Sequence, residues 1–276
     1  MLTQKGPIGV FDSGYGGLTV LKEVTALLPQ YDYIYLGDNA RTPYGSRSFE
    51  TVYHYTLQCV EWFFARGCSL VIVACNTASA KALRTIQQKN LPVIGAHKRV
   101  LGVIRPSAEV IGSFSKTGHI GIMGTQGTVS SQSYPLEIKK FFPEVKIWQQ
   151  ACPMWVPLIE NNEHLNAGAD YFVTKYTQQL LAQSAAIDTV LLACTHYPLL
   201  FNKIKAALPP HIQVIVQGGI VAKSLQNYLM RHPEMDEKCT KNGSKSFFTT
   251  DDSKNFEQQA GLFYELPIQA MQVEIG

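Results

Sequence analysis

The sequence has little of what marks membrane, secreted or nucleic-acid-binding proteins. No apolar run reaches the roughly 18 residues that a membrane span needs, and the first residues lack the apolar segment of a signal peptide. Charged residues form only 16% of the chain, the net charge is +3, and no lysine and arginine cluster is interleaved with aromatic residues. We therefore expect a cytoplasmic protein that binds neither membranes nor nucleic acid. The weak positive charge suits a small anionic substrate.

Paired cysteine motifs are also missing. The chain has six cysteines but no C-x-x-C pair, so we expect reduced thiols, with neither a disulfide framework nor a metal site. Cys59, Cys68, Cys152 and Cys239 lie in helix, turn or loop contexts and are assigned no chemistry. The remaining two thiols each end an apolar run.

Short apolar runs alternate with segments of helical periodicity along the chain, which predicts parallel sheets joined by right-handed crossovers. Several runs are apolar throughout, as expected of strands buried on both faces. Strands are predicted at residues 8–11, 33–36, 70–74, 119–123, 145–149, 189–193, 213–216 and 247–250. Helices are predicted at residues 16–28, 48–66, 77–90, 131–142, 168–184, 199–208, 219–231 and 254–264. Ser48 suits the N-cap of the second helix, and Gly67 suits its C-terminal stop.

The sequence also contains an internal duplication. Residues 8–13 (I-G-V-F-D-S) align with residues 120–125 (I-G-I-M-G-T) at an offset of 112, and two Ala-Cys pairs, at 74–75 and 193–194, align at an offset of 119. This predicts an α/β protein with two similar lobes, each a mostly parallel sheet flanked by helices. The active site would lie in the cleft between them, at the carboxyl ends of the strands.

The division into lobes follows from this duplication. We expect residues 1–104 and 217–276 to form the first lobe and residues 105–216 the second. The segment 89–106 is predicted to cross between the lobes, and residues 233–245 are predicted to form an exposed loop.

The two thiols that end apolar runs, Cys75 and Cys194, have the most informative context. Both are followed at once by polar residues, and backbone amides at the start of a following helix would stabilise each thiolate. His196 adds a base beside the second thiol. Two opposed thiols suit a reaction that removes a proton from one face of a carbon and returns it to the other.

A glycine-rich turn, D-S-G-Y-G-G at residues 12–17, follows the first strand and allows three interpretations. A dinucleotide site is disfavoured, because the sixth position of the G-x-G-x-x-G pattern is Thr19 and an aspartate precedes the turn. In a second interpretation, the glycines do no more than allow a tight turn. Alternatively, they permit close backbone approach while Asp12 and Ser13 face a cleft.

Two further polar features have both a plain and a functional interpretation. The loop at 37–45, G-D-N-A-R-T-P-Y-G, is either a surface turn or a donor-rich loop that closes over an anionic group. Glu160 ends an apolar stretch, where it can be a helix cap or a surface acid.

Taken together, these motifs resemble the glutamate racemases of the aspartate/glutamate racemase family. The matching segments follow the family order and span most of the chain. They are F-D-S-G-Y-G-G (11–17), G-D-N-A-R-T-P-Y-G (37–45), A-C-N-T-A-S (74–79), G-I-M-G-T-Q-G-T (121–128), P-L-I-E (157–160) and A-C-T-H-Y-P-L-L (193–200).

The resemblance implies a homodimer of two-lobed chains that interconverts L- and D-glutamate without a cofactor, supplying D-glutamate for peptidoglycan synthesis. It implies that Cys75 exchanges the α-proton of D-glutamate and that Cys194 exchanges that of L-glutamate. Asp12 would assist the first thiol, His196 would assist the second, and Glu160 would be a further catalytic acid. The implied substrate contacts are Asp12, Ser13, Tyr44, Gly45, Asn76, Thr77, Thr195 and His196. The family's threonine-rich motif contains Thr125 and Thr128.

The chain departs from the family pattern at two places. Arg105 stands in a V-I-R-P segment where members commonly carry an acid, with extra residues at 96–102 before it, and Gln217 opens a Q-G-G segment where many members are acidic. Two other functions fit paired thiols. One is racemisation of aspartate or another small amino acid, and the other is a thiol redox or ligand-binding module.

Overall fold

The computed structural model describes residues 5–275, in which the β-strands form one sheet of six strands and one of four. Every strand pair in both sheets is parallel. The strands are β1 (Ile8–Asp12), β2 (Tyr33–Gly37), β3 (Leu70–Val73), β4 (Arg99–Gly102), β5 (His119–Gly124), β6 (Lys146–Ala151), β7 (Thr189–Ala193), β8 (Gln213–Ile215), β9 (Lys245–Thr249) and β10 (Ala270–Gln272).

The two sheets share one local order of strands. The first has the order β10-β9-β2-β1-β3-β4, and the second has the order β6-β5-β7-β8. The part β2-β1-β3-β4 therefore corresponds to the whole second sheet, as the internal duplication predicts. The interior strands β1, β3 and β7 are buried along their whole length, which explains their apolar sequences. The predicted class, α/β with two similar lobes, is confirmed.

Helices connect the strands and cover the sheets. Within residues 5–275 the α-helices are α1 (Gly17–Leu27), α2 (Phe49–Ala65), α3 (Asn76–Lys81), α4 (Leu83–Thr85), α5 (Leu91–Ile94), α6 (Ile104–Val110), α7 (Gln126–Ser130), α8 (Ser133–Ile138), α9 (Trp155–Glu160), α10 (Ala167–Leu181), α11 (Phe201–Ala207), α12 (Gly218–Arg231), α13 (Pro233–Asp236) and α14 (Ser253–Tyr264). Short 3-10 helices lie at Asn39–Arg41, Ile111–Phe114 and Tyr197–Leu200, and a π-helical turn lies at Ile86–Asn90. None of the helices in this range is long and apolar enough to cross a bilayer.

The ends of α2 illustrate how local sequence sets these limits. Ser48 Oγ accepts a hydrogen bond from the Thr51 N–H at 3.1 Å, as an N-cap should. Gly67 follows the helix with a φ of +84°, a left-handed conformation that glycine adopts without strain. Both predictions for this helix are confirmed.

Several element predictions need correction. The sequence does not predict β4 or β10, because each is a short edge strand whose partly exposed side chains interrupt the apolar pattern. The helix predicted at 77–90 is divided into α3, α4 and the π-helical turn, and the helix predicted at 131–142 shortens to α8. These differences concern edges and ends, where tertiary contacts outweigh local pattern.

The two predicted connecting segments also differ from expectation. Residues 89–106 include α5 and β4, so the chain passes between the sheets only after Gly102, where α6 begins. Residues 233–245 are not simply an exposed loop, since α13 opens the segment and Met235 and Cys239 are buried. Cys239 also forms a parallel bridge with Gly6.

Candidate active site

A cavity of about 200 Å³ lies where the carboxyl ends of strands from both sheets meet. Residues that directly follow β1, β3, β5, β6 and β7 contribute to its wall, as expected for ligand sites of open α/β sheets. All of the predicted site residues except Asp12 line it. These lining residues are Ser13, Tyr44, Gly45, Cys75, Asn76, Thr77, Glu160, Cys194, Thr195 and His196. The volume holds on the order of ten water molecules, which suits a small organic acid and is too small for a dinucleotide.

The first thiol, Cys75, is held at the start of α3. Its Sγ accepts the Ala78 N–H at 3.5 Å in the manner of an N-cap, and the Ser13 hydroxyl lies 3.3 Å from it. Burial and the nearby Asp12 carboxylate nevertheless raise the pKa of Cys75 to about 12, because these outweigh the two hydrogen bonds. Cys75 therefore rests as a thiol at neutral pH.

The second thiol, Cys194, has a different setting. The expectation of an α-helix directly behind it is wrong, because a turn and the 3-10 helix Tyr197–Leu200 follow β7. The assistance comes instead from His196, whose Nε2 lies 2.9 Å from Glu160 Oε1. Burial alone would lower the pKa of His196, but the Cys194 sulfur and the Glu160 carboxylate raise it to about 10. At neutral pH His196 is therefore an imidazolium, which places a positive charge beside the Cys194 sulfur.

Asp12 lies behind the cavity wall and is fully buried. Its carboxylate accepts the Gly14 N–H at 3.0 Å and the Thr195 hydroxyl at 3.3 Å, so it joins the end of β1 to the end of β7. Burial raises the pKa of Asp12, despite opposing contributions from His196 and these hydrogen bonds. A carboxyl group whose pKa is raised in this way can exchange a proton with a nearby thiol more readily than an ordinary one.

The glycines after Asp12 serve close packing within the site. A Cβ on Gly16 would lie 2.3 Å from Thr195 Oγ1 and 2.4 Å from His196 Nδ1, and one on Gly17 would lie 2.5 Å from Asp12 Cβ. All three distances are shorter than real contacts allow. Of the three interpretations of this turn, close backbone approach at a cleft is the one that the structure supports.

The loop at 37–45 is anchored from beneath. Asp38, which is fully buried, accepts hydrogen bonds from the Tyr44 hydroxyl and from Arg41 Nε at 2.8 Å. The Gly45 carbonyl accepts the Gly127 N–H at 2.9 Å, which ties the loop to α7 on the other lobe. The loop therefore presents the Tyr44–Gly45 backbone to the cavity, while the Tyr44 hydroxyl is engaged elsewhere.

Hydroxyl groups from both lobes meet on another wall of the cavity. Thr77 Oγ1 lies 2.9 Å from Thr125 Oγ1, which in turn lies 3.1 Å from the fully buried Thr128 Oγ1. Among residues 5–275, no lysine or arginine lines the cavity. A bound anion would therefore meet hydroxyl and amide donors and the His196 imidazolium.

Sequence reasoning missed several residues of the site. Cys152 lines the cavity, although we assigned it no chemistry. Cys152 directly follows β6, and the neighbouring strand β5 also ends at the cavity. This position at a strand end could have identified Cys152 from the sequence. Tyr134, which contacts the Asn76 side chain, has no local sequence signal, and Gln217, which also contacts it, was noted only as a departure from the family pattern. In the described part of the chain, no three His, Cys, Asp or Glu side chains are grouped to hold a metal ion.

The site therefore combines a buried thiol and a second thiol beside an imidazolium around one small cavity, an arrangement able to move protons at carbon. Residues 16–224 match the family model described as Asp/Glu/Hydantoin racemase. The chain belongs to the Asp/Glu/Hydantoin racemase family of isomerases.

Comparison with individual proteins shows which members of this family the chain resembles. The chain is similar to the glutamate racemase of Sulfurihydrogenibium sp., with 39% identity over 253 residues that cover 91% of each chain. Its fold matches a glutamate racemase of Bacillus anthracis at 33% identity and a TM-score of 0.88, covering 98% of each chain. It also matches the Francisella tularensis glutamate racemase, solved in complex with D-glutamate, at 28% identity and a TM-score of 0.87, again over 98% of each chain. The resemblance that the sequence motifs indicate is confirmed.

Proposed function

We propose that this protein interconverts L-glutamate and D-glutamate, without a cofactor, by proton transfer between two thiols. One observation carries the proposal. Cys75 and Cys194 occupy equivalent places after β3 and β7, and they line the same cavity with different acid–base partners. The similarity to glutamate racemases over nearly the whole chain supports glutamate as the substrate.

The chemistry begins at the assisted thiolate. In the L-to-D direction, the Cys194 thiolate removes the α-proton of L-glutamate, and the electron pair of the broken C–H bond is delocalised into the α-carboxylate. The Cys75 thiol then donates its proton to the opposite face of the α-carbon. This leaves a Cys194 thiol and a Cys75 thiolate, which are the correct states for the reverse direction. A proton must pass from Cys194 to Cys75 before the next L-to-D turnover.

Neighbouring groups assist each thiol in this scheme. His196, charged and held by Glu160, stabilises the Cys194 thiolate. Asp12 exchanges a proton with Cys75, and the Ser13 hydroxyl stabilises the Cys75 thiolate when it forms.

Charge that develops on the α-carboxylate needs preorganised donors. We assign this role to the side chains of Asn76 and Thr77 and to the backbone of Tyr44, Gly45 and Thr195, all of which line the cavity. Neutral donors suit the task, because they stabilise the growing negative charge without binding the ground-state carboxylate as tightly as a cation would.

The test is a racemisation assay by circular dichroism, with L- and D-glutamate and with aspartate, in the absence of added cofactor. We expect turnover of glutamate only, and we expect Cys75→Ala and Cys194→Ala to abolish it. Cys68→Ala is the matched control, since Cys68 is buried but lies outside the cavity. Near-wild-type turnover in either cavity variant would show that the two-thiol mechanism is wrong.

Two further measurements separate the alternatives. In D₂O, the product enantiomer should gain deuterium much faster than the remaining substrate, whereas equal early labelling of both would indicate one shared base. Preferred turnover of aspartate would assign the protein to a different racemase. A ready Cys75–Cys194 disulfide after mild oxidation, together with no turnover, would indicate a redox or ligand-binding module.

The wider setting follows from the same proposal. D-glutamate made in the cytoplasm would supply peptidoglycan synthesis. We also propose that the chain forms a homodimer, which light scattering would test.

The lobes would be residues 1–104 with 217–276, and residues 105–216. The six strands of the first sheet fall within the former ranges and the four strands of the second within the latter, which supports this division.

A further inference from the structure

Three buried side chains from separate segments form a closed ring of hydrogen bonds beside the cavity. Asn76 Nδ2 donates to Gln217 Oε1 at 2.7 Å, and Gln217 Nε2 donates to the Tyr134 hydroxyl at 2.6 Å. The Tyr134 hydroxyl completes the ring by donating to Asn76 Oδ1 at 2.6 Å. Their exposed fractions are 2%, 4% and 0% for Asn76, Gln217 and Tyr134. Within the ring, each member donates one hydrogen bond and accepts one.

Groups outside the Asn76–Gln217–Tyr134 ring determine which atom donates in each of its hydrogen bonds. The Val103 carbonyl, which can only accept, receives the Ser107 hydroxyl at 3.1 Å. Ser107 Oγ must therefore accept from the Gln217 atom that lies 2.7 Å away, so that this atom is the amide nitrogen. The Gln217 amide is thus oriented, and through the ring the Asn76 amide is oriented as well.

This orientation matters because Asn76 lines the cavity beside Cys75. An unconstrained amide can rotate and present either its nitrogen or its oxygen to a ligand. Within the ring, Asn76 Oδ1 is occupied by Tyr134, while Asn76 Nδ2 uses one of its two N–H groups. The second N–H is left as a donor, and a carboxylate is the ligand that a donor attracts.

We infer that Tyr134 and Gln217 are positioning residues, which hold the Asn76 amide so that it offers an N–H to a carboxylate of the substrate. This inference rests on the proposed racemisation of glutamate. A glutamate at position 217 would carry no N–H for Ser107 or Tyr134, so this polarity of the ring requires an amide at that position.

The ring also joins the two lobes. Asn76 begins α3, directly after β3 of the first sheet, while Tyr134 lies in α8 and packs with Ile120 and Leu191 of the second. Gln217 lies between β8 and α12. Loss of the ring therefore weakens the orientation of Asn76 and one contact between the lobes.

The test is Tyr134→Phe, which removes one hydroxyl and keeps the ring shape. Because the competent amide orientation becomes only partly populated, we expect KM for both enantiomers to rise about tenfold, with kcat changed less than about threefold. Tyr33→Phe is the matched control, since the buried Tyr33 hydroxyl donates to the Leu28 carbonyl at 2.8 Å away from the cavity. It should lose comparable thermal stability and keep the wild-type KM.

Ser107→Ala provides a second variant in case Tyr134→Phe does not fold. It removes the shorter of two contacts that orient Gln217 from outside the ring and leaves the Val103 carbonyl, 3.3 Å from Gln217 Nε2, so we expect a smaller rise in KM of about threefold. An unchanged KM in whichever of the two variants folds would overturn the positioning role, as would an equal rise in Tyr33→Phe. Absence of glutamate turnover in the wild-type protein would instead overturn the proposed function itself, an outcome that the variants cannot mimic.

Discussion

The ion pair of His196 and Glu160 provides a quantitative test of the site. Glu160 Oε1 and His196 Nε2 are 2.9 Å apart, and their side chains are only 20% and 6% exposed. The pKa of His196 is raised to about 10, against the effect of burial, by the Cys194 sulfur and by the Glu160 carboxylate. An opposite charge at this range commonly moves a pKa by about 1–3. Glu160→Gln removes the charge and keeps the shape, so we expect the pKa of His196 to fall to about 8.

The expected loss of activity depends on pH. At pH 9, a pKa near 10 leaves about nine-tenths of His196 protonated, whereas a pKa near 8 leaves about one-tenth. At pH 7, about nine-tenths or more remains protonated in both proteins. In the proposed mechanism the imidazolium stabilises the Cys194 thiolate, so we expect kcat/KM for L-glutamate in Glu160→Gln to be about tenfold below wild type at pH 9 and within about twofold at pH 7.

The assay is the initial rate of L-to-D conversion, followed by circular dichroism from pH 6 to pH 10. The dependence of kcat/KM on pH reports the free enzyme. Glu163→Gln is the control, because Glu163 is exposed and does not line the cavity, and its profile should match wild type. A Glu160→Gln profile whose alkaline limb stays in place, or whose loss is the same at every pH, would refute the electrostatic role of Glu160.

Two other predictions concern packing and acid stability. Gly16→Ala should lower kcat/KM by about 100-fold, because its Cβ would displace His196. Gly219→Ala is the control and should keep wild-type kinetics, since a Cβ at Gly219 would meet open space. Equal kcat/KM values for the two variants would contradict this prediction. Asp188 accepts the N–H groups of Lys116 and Thr117, and although burial raises its pKa, hydrogen bonds lower it to about 2. Its stabilising contribution is present above pH 4 and lost as pH falls through 2, so urea unfolding of Asp188→Asn should show about 2 kcal/mol less stability at pH 7 and no difference below pH 2. A pH-independent difference would show that the carboxylate charge is not responsible.

Sequence patterns predicted those elements whose stability is local or whose burial is complete. The apolar strands β1, β3 and β7 are each buried on both faces, so their composition alone identifies them. The edge strands β6 and β8 were predicted, whereas β4 and β10, whose partly exposed side chains interrupt the apolar pattern, were not. Their position depends on a neighbouring strand rather than on their own residues.

The residues of the candidate site also differ in how far local sequence predicts them. Asp12, Cys75 and Cys194 stand at strand ends, a place that the sequence marks by a change from apolar to polar residues. By contrast, the partner of His196 is 36 residues away in Glu160, and the partner of Asn76 is 141 residues away in Gln217. Such pairs carry no local periodicity, so no pattern within one segment predicts them.

The sequence by itself determined the α/β class, the duplicated lobes, the family and the two thiols. Those features follow from hydrophobic periodicity and from motifs that lie within single short segments. Only the tertiary structure decided the protonation states around them, with a buried thiol at Cys75 and an imidazolium beside Cys194. Protonation depends on burial and on charges brought close by folding, and both are properties of the packed chain rather than of any one segment.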